Sequence, residues 1–151
     1  MGDEDRSTDE VKRDRQMTEL LQELRIALPG VQILFAFLLT VPFAMGFQKT
    51  TAFQRDLYFA TLLATTASTA CLIAPSATHR LRFHQRDRAF VIESANKYLI
   101  AGLAFLGIAI VLAIALITDF LYDHWITWAA PAAIALLVAG FWFVRPLLRR
   151  V

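Results

Sequence analysis

Four stretches of this chain, residues 28–47, 57–77, 98–118 and 126–144, contain not one Asp, Glu, Lys or Arg. All 15 Lys and Arg and all 13 Asp and Glu fall outside them. Each stretch is about 20 residues long, which is what an α-helix rising about 1.5 Å per residue needs to cross a hydrocarbon layer about 30 Å thick. The pattern predicts an all-α fold, a four-transmembrane-helix bundle over residues 28–151, preceded by a cytoplasmic or interfacial amphipathic helix in a tail spanning residues 1–27.

Little chain remains for anything else. The longest pieces outside the four stretches are residues 1–27 and 78–97, too short to bury an aqueous core, so a soluble catalytic domain is excluded. The composition agrees, with 57% hydrophobic and 19% charged residues. The first apolar run begins only after an acidic-leaning tail and is long enough to span, so it is expected to stay as a helix and not to be cleaved as a signal. The lone cysteine, Cys71, lies inside the second stretch and allows no internal disulfide. The net charge of +2 does not indicate nucleic acid, because the surplus Arg sits beside the spans.

Those cations set the expected orientation, since Lys and Arg accumulate in cytoplasmic loops. The tail carries Arg6, Lys12, Arg13, Arg15 and Arg25, the central loop Arg80, Arg82, Arg86, Arg88 and Lys97, and the C-terminal end Arg145, Arg149 and Arg150. The connections 48–56 and 119–125 hold only Lys49 and Arg55. Both termini and the central loop are therefore expected on the cytoplasmic side. In the tail, Ser7 and Glu10 have the spacing of a capping box. Met17, Leu20, Leu21, Leu24 and Leu28 then recur at helical intervals, and Pro29-Gly30 is expected to bend the chain into the first span.

Apolar side chains gain little by leaving lipid for protein, so membrane helices associate through small residues and interhelical hydrogen bonds. Gln32, Ala36, Thr40 and Ala44 recur every fourth residue in the first span, and Thr61, Thr65 and Thr69 do the same in the second. Gln32, Thr40, Thr61, Thr65 and Thr69 are thus the candidate helix-contact or pore-lining residues. Pro42 is expected to kink the first helix and free a carbonyl that a neighbour must satisfy. Gly102 and Gly107 in the third span, and Ala129, Ala133, Ala135 and Ala139 in the fourth, suit close approach. Tyr122, Trp125, Trp128 and Trp142 mark the ends of the last helix.

Candidates for chemistry are few, and no cofactor, catalytic group or metal site is expected. His79 and His84 stand among arginines that would repel a metal ion. Asp119, Asp123 and His124 are the best set of potential ligands, yet a hard cation wants more oxygens than they offer. Proton-coupled transport calls for an ionisable group at depth, and the four stretches hold none. The cluster Arg80, Arg82, Arg86 and Arg88 is a candidate contact for anionic lipid headgroups.

The run over residues 28–43, which reads Leu28-Pro29-Gly30-Val31-Gln32 and ends Thr40-Val41-Pro42-Phe43, joins Phe53-Gln54-Arg55-Asp56-Leu57-Tyr58 and Ala74-Pro75-Ser76-Ala77-Thr78-His79-Arg80 in a further signal. Together they resemble a family of small bacterial four-helix membrane proteins classed as a domain of unknown function, some of whose members carry an automatic label of sodium:proton antiporter. The likeness covers about residues 20–150 and is most specific in the first half. It implies a bacterial plasma-membrane protein but no established activity, cofactor or catalytic residue. The expected function is that of a non-enzymatic structural, regulatory or partner-binding element, with a bilayer, a second copy or another membrane protein as partner and no nucleic acid. The alternative is a subunit of an oligomeric ion channel or transporter.

Overall fold

A computed structural model describes residues 2–81, 88–122 and 125–148 of the chain. Helix α1 runs over Gly2–Thr40, α2 over Ala52–Leu81, α3 over Arg88–Leu121 and α4 over Ile126–Ala139, followed by a π-helical turn, Gly140–Val144, and a last short helix, α5, Arg145–Leu148. Two 3-10 turns, Val41–Phe43 and Phe47–Lys49, join α1 to α2. Four helical segments are long and apolar enough to cross a membrane: Leu24–Phe43, Ala52–Ala77, Ser94–Leu121 and Ile126–Val144.

The first helix departs from the sequence reading at both of its prolines. It is continuous through Pro29 and Gly30, so the tail and the first span form one rod of 39 residues and not a separate helix followed by a bend. Proline is an N–H missing from an otherwise regular ladder, and at Pro29 the chain keeps its helical course. At Pro42 it does not. The α-helix stops at Thr40, because Pro42, in the first turn of the 3-10 segment, has no N–H to continue the ladder to the Leu38 carbonyl. A helix end thus stands where a kink within a longer span, reaching residue 47, is expected. Helix α2 correspondingly starts earlier than residue 57, at Ala52, because Thr51 and Gln54 cap it. The side chains of Met17, Leu20 and Leu21 and of the Ser7–Glu10 pair lie outside the described residues, and so do those of His79 and His84.

Helices α2 and α3 form the central antiparallel pair, α1 packs on both, and α4 packs on α3. The core positions of α2 are Gln54, Tyr58, Thr61, Thr65, Ser68, Leu72 and Pro75, all buried. Their intervals alternate between four and three residues, the 3.5-residue repeat of left-handed helix packing. On α3, Ala95, Leu99, Gly102 and Ala109 are buried on the same repeat, with the partly buried Leu106 completing it. Leu24, Val31 and Leu38 on α1 recur every seven residues. Leu24, Val31, Leu72 and Leu99 close one end of the three-helix junction as an apolar cluster.

The two glycines on α3 set the close approaches. A Cβ built on Gly102 would lie 2.6 Å from Leu72 Cδ2, and one on Gly107 would lie 2.7 Å from Val138 Cγ1. Small side chains there let α2 and α4 come in on different faces of α3. Polarity is distributed in the reverse of a water-soluble domain. Gln54, Thr61, Thr65, Ser68 and Thr127 are buried, while Ile33, Phe37, Phe59, Ile108, Trp128 and Leu136 point outward. An apolar exterior of this kind around four membrane-length helices is that of a multi-pass membrane protein.

Candidate functional site

The polar residues of α2 are concentrated on its buried seam, and the fate of each hydroxyl follows from the helix it stands on. Thr61 Oγ1 donates to the Leu57 carbonyl at 2.7 Å, Thr65 to the Thr61 carbonyl at 2.8 Å and Thr69 to the Thr65 carbonyl at 2.9 Å. A helical threonine can always reach the carbonyl one turn back, so these protons stay within α2. Ser68 is different, because its Oγ donates across the interface to the Gly102 carbonyl at 2.8 Å. The missing side chain of Gly102 is what brings that carbonyl within reach. Thr61 and Thr65 are fully buried and Thr69 is half-buried. The seam therefore continues through Ser68 and Leu72, drifting off the strict four-residue stripe as a 3.5 repeat must.

Prolines dictate two of the remaining polar contacts. Pro42 has no N–H to give the carbonyl four residues back, which is that of Leu38, and the buried Tyr58 donates its Oη proton to that oxygen at 2.9 Å. The neighbour that the freed carbonyl requires is thus on α2. The Tyr58 ring is held edge-on against Phe47, with centroids 5.2 Å apart and planes at 74°. Pro131 repeats the arrangement within α4. It leaves the Thr127 carbonyl without its helical donor, and Thr118 Oγ1 on α3 lies 3.3 Å away, shared with its own Ile114 and Ala115 carbonyls at 2.9 and 3.1 Å. Thr127 Oγ1 in turn donates to the Tyr122 carbonyl at 2.7 Å and tightens the α3–α4 turn.

Gln54 joins the ends of α2 and α3. Its backbone N–H donates to Thr51 Oγ1 at 3.2 Å, and its Oε1 accepts from the Thr51 N–H at 3.1 Å, a reciprocal capping box. Its Nε2 then donates to Asp119 Oδ2 at 3.0 Å and approaches the Asp119 carbonyl at 3.4 Å. One side chain caps a helix and latches it to the next. Sequence reading starting α2 at residue 57 misses this, although the Thr-x-x-Gln spacing of residues 51–54 is the signature of such a cap. Tyr58 is missed as well; its signal is a donor on one helix at the depth of a proline-freed carbonyl on another.

The first-helix candidates lie elsewhere. Gln32, Ala36, Thr40 and Ala44 are all exposed. Thr40 Oγ1 donates to the Phe37 carbonyl at 2.7 Å, whereas the Gln32 amide has no partner among the described residues. Arg80 lies in α2 and Arg88 opens α3, but their side chains, like Arg82 and Arg86 entirely, lie outside the described residues. Asp123 and His124 do too, and Asp119 is engaged by Gln54. Among the described residues no group of three or more His, Cys, Asp or Glu could hold a metal ion. No buried side-chain N or O atom among them lacks a hydrogen-bond partner.

Residues 6–146 match a family of unknown function, DUF6328. The chain belongs to this family. No curated protein and no solved structure matches it significantly. The polar seam, the two hydroxyl-capped proline breaks and the Gln54 latch accordingly describe this DUF6328 member from its own geometry.

Proposed function

We propose that this protein is a non-enzymatic element of the bacterial plasma membrane that works by binding another membrane helix. In this reading both termini and the loop around Arg82 face the cytoplasm, and the arginines of that loop attract anionic headgroups. The observation that carries the reading is the Gln32 amide. It stands exposed in an apolar segment that runs from Leu24 to Phe43, with no partner among the described residues. An unbonded amide in hydrocarbon is costly, which favours burial against a partner. The interior polar groups, by contrast, already serve helix contacts and caps.

One arrangement supports the alternative of an oligomeric channel subunit: Gln32 and Thr40 share the outer side of α1, where subunits ringed around an axis would place them along a pore. The purified full-length protein, reconstituted in liposomes and assayed for sodium, potassium and proton flux while its particle mass is measured, separates the two. The partner-binding reading expects no flux. Flux that changes on Gln32→Leu or Thr40→Val at unchanged particle mass overturns it in favour of the channel.

A further inference from the structure

The open side of α1 carries an exposed seam that includes Gln32. Pro29, Gln32, Ala36 and Leu39 are all exposed, at intervals of three, four and three residues. That is the repeat on which α1 docks onto its own chain through Leu24, Val31 and Leu38, displaced about a third of a turn around the helix. Gln32 is its one residue with an unmet hydrogen-bonding side chain. It lies about 12 Å along the helix from Leu24, close to the middle of the apolar segment.

We propose that a second copy of this chain occupies this seam, parallel and related by a two-fold axis along the membrane normal, with the two Gln32 amides hydrogen-bonded to each other. The proposal deepens the partner-binding reading and rests on it for the contact face. The occupant follows from the chemistry of the amide. A carboxamide is both donor and acceptor, so a two-fold axis at Gln32 satisfies each copy with the same residue. Copies inserted in the same sense carry Gln32 at the same depth. A single polar residue on an otherwise apolar 3.5 repeat fixes register, because any slip separates the two amides. Ala36, one turn along, has the small side chain that lets two helices approach at that point.

The test uses the full-length protein in bicelles with Cys71→Ala as background. Single cysteines at Ala36→Cys and Leu39→Cys should form disulfide-linked dimers readily on mild oxidation, and those at Phe37→Cys and Leu136→Cys should form few. In fluorescence energy transfer between labelled copies, Gln32→Leu should weaken the dimer about three- to twentyfold, the range given by hydrogen bonds between membrane helices. Gln32→Asn should keep part of the affinity. Circular dichroism of each variant establishes that the helices persist. A monomer under all conditions, cross-linking as strong at residue 37 or 136 as at 36, or a Gln32→Leu variant that dimerises as tightly as the parent would each overturn the proposal. A monomer without flux refutes the second copy alone, whereas flux refutes the partner-binding reading beneath it.

Discussion

Removing the Tyr58 hydroxyl tests whether proline-freed carbonyls are what organise the polar contacts of this fold. Tyr58→Phe keeps the ring and its edge-on contact with Phe47 and deletes only the proton that Leu38 O accepts. Hydrogen bonds between membrane helices average about 0.6 kcal/mol because the unfolded helices find substitutes. The Leu38 carbonyl has a poor substitute, since Pro42 provides no N–H and the site is buried. The cost should therefore approach that of an unsatisfied buried acceptor, about 1–2 kcal/mol. The decisive measurement is a double-mutant cycle with Pro42→Ala, followed by unfolding in bicelles with increasing detergent denaturant. Alanine restores an N–H that can reach the same carbonyl, so Tyr58→Phe should cost about 0.5 kcal/mol or less in that background. Equal costs in the two backgrounds would refute the idea that the proline and the tyrosine act on one oxygen.

Gly102→Ala should destabilise the α2–α3 pair by about 1–3 kcal/mol through overpacking against the fully buried Leu72, and Leu72→Ala in the same chain should recover part of the loss, as read by the same unfolding assay. Asp119→Asn preserves an oxygen for the Gln54 amide and should leave stability within about 0.5 kcal/mol; Gln54→Ala loses cap and latch together and should cost about 1–2 kcal/mol. If Asp119→Asn instead abolishes a stabilisation by added divalent cations, a metal site exists at that end. Reporter fusions after Arg88 and after Val151 should behave as cytoplasmic, and a tag near Thr51 should be labelled from outside; an external reporter at Arg88 inverts the topology.

The number of membrane-spanning segments and their length were legible in the sequence because exclusion of charge from hydrocarbon is a local property, read one window at a time. The need for a donor near Pro42 was legible for the same reason, since a missing N–H is a covalent fact. The identity of that donor was not. Tyr58 is 20 residues away on another helix, and only the packing of α1 on α2 sets its depth against Leu38. Which face each helix turns inward was also left to the tertiary structure. The stripe of Gln32 and Thr40 and the stripe of Thr61 and Thr65 look alike at four-residue spacing, yet the first lies outside and the second inside. A helical threonine satisfies its own hydroxyl on the preceding turn wherever it faces, so hydroxyls mark no side by themselves. The side is decided where backbones can come close, at Gly102 against Leu72 and Gly107 against Val138, and closeness is a property of two helices at once.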